Sequence, residues 1–377
     1  MRIGIMLRAY EEKGGVGVYT RNITRHLIEH APQHDFFLYF CNQKSLDAYA
    51  AYPNAHARFI QPHGKFIWDQ VSIPHMCRRD ALDVLFHPKF TVPLLCASKS
   101  VMMLHGAGWF IPEVRHFWSR STRIYSRLMM PIYCRLAGAV LAVSEITREV
   151  FIERLGVAPE KITALYFAPG KQFNKPPEKA HIETVKSRYA LPEQFILTLS
   201  GGDRAERKNF GTILKAFQQI HKRFPCALVV AGRGCDELRT RYRIPNEGWG
   251  RNVYFPGWVD QADLPVFYHQ AEMFLYPSNM EAHPIPITEA LAMGTPIVTS
   301  NAYGLKELAG EAALLVDPKD PDVIAAAALR LLNEPALRGE LKTRAAERSK
   351  LFDWDDCTAR TLDILERVGG GHRGQGH

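Results

Sequence analysis

The chain has 377 residues, 46% hydrophobic, 11% aromatic and 23% charged, with a net charge of +8 and a pI of about 9.1. That length exceeds what one core usually holds, so two domains are expected. No run of about 18 uncharged apolar residues exists, so a membrane-spanning helix is not expected.

The seven cysteines are scattered, odd in number and free of CxxC pairs. This argues against a disulfide framework or structural zinc site and for reduced thiols in the cytoplasm. The positive charge favours anionic partners such as nucleotides, pyrophosphate carriers or phospholipid surfaces. No RNA- or DNA-binding motif organises the basic residues, so nucleic acid is not an expected partner.

In chain order, RIGIML (2–7) reads as a buried strand, broken at Arg8 and lacking a signal-peptide layout. The loop EEKGG follows, then a helix, VGVYTRNITRHLIEH, with Tyr19, Ile23 and Leu27 spaced by four. DFFLYFC (35–41), ALDVLFHP, SVMMLHG and AVLAVS (139–144) are short apolar runs ending in small or polar residues. Such runs indicate parallel strands buried on both faces. Between Glu113 and Glu145 there is no acid, while Arg115, Arg120, Arg123, Arg127 and Arg135 all occur. Arg120, Arg123 and Arg127 share a helical face with aromatic and Met residues beside them, a surface able to rest on an anionic membrane. The alternative is that Trp118, Ile124 and Leu128 pack inside and the arginines are only solvated.

APGKQFNKPPEKAHIE breaks the pattern and reads as a linker. A second series follows: QFILTLSGG (194–202), CALVVAGRG (226–234), NVYFPGWV (252–259), MFLYPS (273–278), TPIVTS (295–300) and AALLVDP (312–318). Helices between them include TILKAFQQIHKRF, DLPVFYHQA, PITEALAM and PDVIAAAALRLL. Two βα series imply an α/β fold of two facing, Rossmann-like, doubly wound domains with a cleft between them. The expected division is 1–170, an acceptor-side domain; 171–190, a linker; 191–352, a nucleotide-sugar domain; 353–368, a helix crossing back to the N-terminal domain; and 369–377, a flexible tail. Ligands of such sheets sit beyond the carboxyl ends of the strands.

MEAHPIPITEALAMG leaves such a strand end. Pro286 suits a first helical turn, Gly294 a C-terminal stop. Glu281 then lies in the loop and Glu289 near the end of the first turn. The helix start offers N–H groups and a positive dipole end for a phosphate. Carboxylates on either side can accept hydrogen bonds from a sugar and a ribose.

Ser278, Glu281, Glu289, Ala290-Leu291-Ala292, Gly294 and Pro296 to Ser300 together resemble the E-x7-E motif of retaining glycosyltransferases of the GT-B fold, glycosyltransferase family 4. GGVGVYTRNI resembles its glycine loop. LAVSE (141–145), GGDRAERKN (201–209), VAGRG, YFPGWV and GLKELAGEAALLVDP (304–318) follow in the family's order. The likeness covers nearly the whole chain and leans to a mannosyltransferase-like branch. It implies that Glu289 binds the ribose, that Glu281 contacts the donor sugar, and that Lys208 and Arg207 bind the diphosphate, where fixed cations meet developing charge. His283 and Ile285 join the donor side. Gly15 and Gly17 would approach the donor, glycine permitting close contact and positive φ. His105 is expected to position sugar and acceptor by hydrogen bonding, ahead of His63, His75 and His87. Ala282-His283-Pro284 replaces the family's Gly-Phe-Gly, which puts the donor sugar in doubt.

The resemblance thus implies hexosyl transfer, mannosyl from GDP-mannose, to a glycan or polyprenyl-diphosphate-linked glycan in cell-surface or exopolysaccharide synthesis. Retention would come from front-face attack, and domain closure would exclude water. No clear Asp-x-Asp metal motif precedes a substrate loop, so no metal and no cofactor are expected. The protein would work in the cytoplasm or on the inner face of its membrane. The rivals are a UDP- or dTDP-sugar donor and a Rossmann-type oxidoreductase. The latter is disfavoured because Thr20 stands where a third glycine belongs.

Overall fold

The computed structural model describes residues 1–12 and 14–370. Two compact units form: Met1–Phe167 with the segment from Asp353 onward (unit 1), and Ala168–Phe352 (unit 2). Nearly uninterrupted apolar runs leave these strands no side suited to water, so each sheet is parallel and largely covered.

Unit 1 contains β1 (Arg2–Met6), β2 (Asp35–Phe40), β3 (Ala55–Phe59), β4 (Val84–His87), β5 (Lys99–Leu104), β6 (Ala139–Ala142) and β7 (Ile162–Ala164). Their spatial order is β3-β2-β1-β4-β5-β6-β7. Gly4 pairs with Phe37 on one side and Leu85 on the other, so the order reverses between β1 and β4. β3 and β7 went unanticipated: AHARF alternates small and polar residues, and ITA is three residues long.

Unit 2 contains β8 (Phe195–Leu199), β9 (Ala227–Ala231), β10 (Val253–Gly257), β11 (Met273–Tyr276), β12 (Ile297–Ser300) and β13 (Ala313–Val316). The order β10-β9-β8-β11-β12-β13 reverses between β8 and β11. A doubly wound sheet opens a crevice at such a reversal, beyond the carboxyl ends of its two strands.

The segment expected as a linker, 171–190, is partly a helix, Lys179–Tyr189, belonging to unit 2. Val185 is its buried anchor. Arg188 Nη1 and Tyr189 Oη reach the buried Asp263 carboxylate at 2.5 and 3.1 Å. The flanking Lys and Pro residues masked this short amphipathic pattern. The C-terminal helix runs Trp354–Gly370, past the expected end at 368. Of the expected tail, 371–377 lie outside the described residues.

The C-terminal helix packs along Gly15–His30 and against β4 and β5. Trp354 stacks on Phe167 with ring centroids 5.4 Å apart, and on His26 at 5.6 Å. At the other end His34 Nε2 meets Glu366 Oε1 at 2.6 Å. Gly138 is needed where it stands, because a Cβ there would lie 2.7 Å from Val368 Cγ1. Burying an aromatic of this size in a stacked site is worth several kcal/mol. Trp354→Ala is therefore expected to destabilise unit 1 by about 3 kcal/mol, read as a lower urea midpoint; an unchanged midpoint would show that the stack carries no stability.

Candidate active site

The chain leaves β8 through Gly201-Gly202 and a short turn, placing Arg207, Lys208 and Asn209 just before the helix Phe210–Arg223. It leaves β11 through Pro277 to Met280, placing Glu281 opposite. Backbone and side-chain bonds join the two loops. Asn279 N–H and Ser278 Oγ both donate to Arg207 O at 2.9 Å. Asn209 takes φ +62° and donates from Nδ2 to Pro277 O at 3.0 Å and to Pro318 O. A short polar side chain tolerates that left-handed backbone. Asn209 thereby aims its neighbour Lys208.

Glu281 and Arg207 form an ion pair, Nη1 to Oε2 at 2.6 Å, and Arg207 also donates to Met280 O at 2.8 Å. Tyr276 Oη donates to Glu281 Oε1 at 3.0 Å and receives Lys208 Nζ at 2.5 Å. Burial alone would raise Glu281, but Arg207, Lys208 and these hydrogen bonds outweigh it, so its pKa is lowered. Burial draws Lys208 down to about 8, with Glu281 resisting.

Glu289 is the fifth residue of the helix Ile285–Met293, one position past the expected first turn, because the helix begins at Ile285. Gly294 ends it in the left-handed conformation (φ +66°), as anticipated. Glu289 is 5% exposed, and Tyr268 Oη donates to its Oε2 at 2.8 Å. Burial pushes its pKa up to about 7, against the Tyr268 bond and the Lys208 charge. The two glutamates are therefore oppositely poised, one held ionised and the other near neutrality, the pattern expected where carboxylates take different roles.

The helix start is poorer in donors than expected. Pro284 and Pro286 have no N–H, and Ile287 N–H is spent on Pro284 O at 2.8 Å. Arg207 and Lys208 are the cations beside the two glutamates. His283 lies edge-on to Phe352 at 6.3 Å, and Ile285 is half-buried at the helix start. Gly304 holds the loop from beneath: its N–H donates to Glu281 O at 3.0 Å, and a Cβ would come within 2.0 Å of Ala282 O.

Unit 1 carries the other expected residues. Gly15 and Gly17 sit in the first turn of Gly15–His30, and neither takes the positive φ anticipated for them. Gly17 is required by its own loop, since a Cβ would lie 1.7 Å from Glu12 O. His105 Nε2–H donates to Pro88 O at 2.7 Å, and the ring meets Tyr19 and Phe90 edge-on. Of the rivals, His87 is buried and held by Thr91. Arg120, Arg123 and Arg127 lie on the helix Arg120–Leu136, which buries Ser126, Met130, Tyr133 and Cys134. Ile124 and Leu128 point outward rather than inside, while Trp118 covers Gly108.

Sequence reasoning missed Tyr276 and Tyr268, which pair with the two glutamates. The available signal was a tyrosine within an otherwise apolar run, MFLY, since a buried hydroxyl calls for a partner.

Residues 13–166 match the family model described as Glycosyltransferase Family 4, and residues 181–348 match Glycosyl transferases group 1. The chain is 30% identical over 297 residues to O-antigen chain mannosyltransferase B of Escherichia coli, covering 76% of this chain and 75% of that protein. It is 24% identical over 410 residues to the serotype-specific mannosyltransferase WbdA of Escherichia coli, covering 98% of this chain and 48% of WbdA, so it spans about half that relative's length. The sucrose-phosphate synthase structure from Thermosynechococcus elongatus superposes with a TM-score of 0.77 at 19% identity, covering 98% of this chain and all (100%) of that one, and shows the same GT-B fold.

Glu289 yields a stability prediction. A carboxyl raised from 4.5 to about 7 keeps its proton in the folded state where the unfolded chain has lost it, so stability falls as pH rises from 4.5 to 7. Glu289→Gln removes that loss. The variant should be more stable than the parent at pH 8 by about 3 kcal/mol, and nearly equal to it near pH 4.5. Urea unfolding at the two pH values checks this; a variant less stable at pH 8 would contradict it.

Proposed function

We propose, because the chain belongs to glycosyltransferase family 4, that this glycosyltransferase moves a mannosyl group from GDP-mannose to a hydroxyl of a glycan or polyprenyl-diphosphate-linked glycan, with retention of configuration and without a metal. The observation that carries the reading is the set of oppositely poised glutamates and two partly buried cations at the β8/β11 reversal. The mannosyltransferase relatives favour the sugar and a role in polysaccharide synthesis.

In this scheme Arg207 and Lys208 hold the diphosphate, whose charge grows as the C1–O bond breaks. Glu289 accepts hydrogen bonds from the ribose hydroxyls, which favours its ionised form. Glu281, already paired with Arg207 and acidic, is a poor base and instead orients the donor sugar. The acceptor hydroxyl attacks C1 from the face the diphosphate leaves. The new C1–O bond forms there, and the proton passes to a diphosphate oxygen. Gly15 and Gly17, at a helix start without a side-chain cap, and His105 are assigned to donor and acceptor positioning by family resemblance. No step needs a metal, because the two cations supply the charge.

Lys208→Met should lower kcat/KM by about 10²- to 10³-fold and remove the thermal stabilisation given by GDP-mannose. UDP-glucose and dTDP-sugars should stabilise the parent less than GDP-mannose. Wild-type kinetics in Lys208→Met would sink the site, and stronger stabilisation by a UDP-sugar would reassign the donor. Coupling constants in the product's NMR spectrum report retention or inversion directly.

The second part of the proposal is peripheral attachment to the inner face of the cytoplasmic membrane. Among the described residues no helix is long and apolar enough to cross a membrane. Ile124, Leu128, Ile132 and Leu136 recur every fourth residue on Arg120–Leu136 and are 53%, 64%, 44% and 48% exposed. Phe66 and Ile67 add exposed apolar surface, and Lys65 Nζ lies 5.1 Å from the Tyr125 ring centroid, tying that segment to the same helix. Arg120, Arg123, Arg127 and Arg135 supply the charge for anionic headgroups. The protein should sediment with anionic vesicles and not with zwitterionic ones, and Leu128→Glu with Ile132→Glu should cut the bound fraction about tenfold. Undiminished binding by the double variant would count against this surface.

A further inference from the structure

We propose that His26, His30 and Asp355 bind a divalent transition-metal ion of the zinc class, which clamps the C-terminal helix to Gly15–His30. This site is structural and stands apart from the transfer chemistry above. His26 and His30 lie one turn apart on Gly15–His30, and Asp355 is in the first turn of Trp354–Gly370. One ligand atom from each lies within 4.8 Å of the other two.

The hydrogen bonds point to a cation. His30 Nδ1–H donates to His26 O at 2.9 Å, so Nε2 is the ring's remaining ligand atom, and it faces Asp355 Oδ1 3.1 Å away. A ring nitrogen and a carboxylate oxygen come this close only with a positive ion or a proton between them. His26 Nδ1 is buried, has no hydrogen-bond partner among the described residues, and lies 3.7 Å from the same oxygen. Two imidazoles and one carboxylate form a donor set suited to zinc, cobalt or nickel. Metal–nitrogen bonds of about 2.0–2.1 Å need only small rotations from these positions. Asp355 is exposed, so water can fill the remaining coordination. The carbonyl behind His30 fixes its tautomer, as outer partners of metal ligands do.

Arg25 opposes the ion in two ways. Its Nη2 donates to His26 Nε2 at 3.2 Å, which places the ring proton on Nδ1, and its charge is nearby. Binding at Nδ1 shifts that proton to Nε2 and turns Arg25 outward. The ion would sit where the chain re-enters unit 1, beside the Trp354–Phe167 stack that marks both crossings between units.

The test is calorimetric titration of the chelator-treated full chain with Zn²⁺, and visible absorption with Co²⁺. One ion per chain is expected at on the order of micromolar affinity, with a Co²⁺ spectrum of low coordination number. His30→Ala and Asp355→Asn should each weaken binding at least tenfold, Arg25→Gln should tighten it several-fold, and His34→Ala should leave it unchanged. Binding that survives in His30→Ala, or that appears only at millimolar ion, overturns the proposal. If a proton alone fills the gap, no Co²⁺ spectrum develops, and that outcome also overturns it.

Discussion

The candidate site depends on keeping Glu281 ionised while it is largely buried. A carboxylate removed from water costs several kcal/mol unless paired. Arg207 meets that demand at 2.6 Å and Tyr276 adds a hydrogen bond. The rest of the site follows. Arg207 must be delivered by the loop after β8, so that loop is bonded to the loop after β11. Tyr276 also receives Lys208, so one hydroxyl couples the acid to the second cation. Asn209 accepts a left-handed backbone to keep Lys208 in place. A nucleoside diphosphate bound as proposed would meet groups already oriented, which is how fixed charges gain strength over water.

Glu289 behaves differently: where Glu281 has the Arg207 guanidinium, Glu289 accepts from a neutral hydroxyl, that of Tyr268. It is left poised near neutrality, a condition that favours ligand binding over stability. A buried acid with a perturbed pKa is a common feature of functional residues.

Much of this was legible in the sequence. Short Val/Ile/Leu runs between amphipathic segments gave the two parallel sheets, and the runs ending at Ser278 and Gly202 put the candidate residues just after strands, where the second sheet reverses its order. Glu281 and Glu289 were identifiable because prolines between them forbade a continuous helix. What stayed hidden depended on contacts distant in sequence. Tyr268 and Tyr276 looked like core aromatics until their hydroxyls met carboxylates. Gly17 reads as a donor-facing glycine, and the close approach of the Glu12 carbonyl, a second reason for glycine there, was not visible in the sequence. Lys179–Tyr189 was obscured by a Pro- and Lys-rich neighbourhood, and Asp263, which anchors it, lies more than seventy positions further on. The prolines that marked the 285–293 helix lack N–H groups, as their sequence already implies, and the structure adds that Ile287 N–H is engaged by Pro284 O.

The central claim is that two buried glutamates are poised oppositely and that a nucleotide resolves the difference. The direct measurement is a pH titration of ¹³C-labelled glutamate carboxyls by NMR, without and with GDP, assigned through Glu281→Gln and Glu289→Gln. The account predicts that Glu289 titrates near 7 in the free protein, that Glu281 titrates below the usual carboxylate range, and that GDP lowers only Glu289. Ordinary titration of both carboxyls, or no response of Glu289 to GDP, would contradict it.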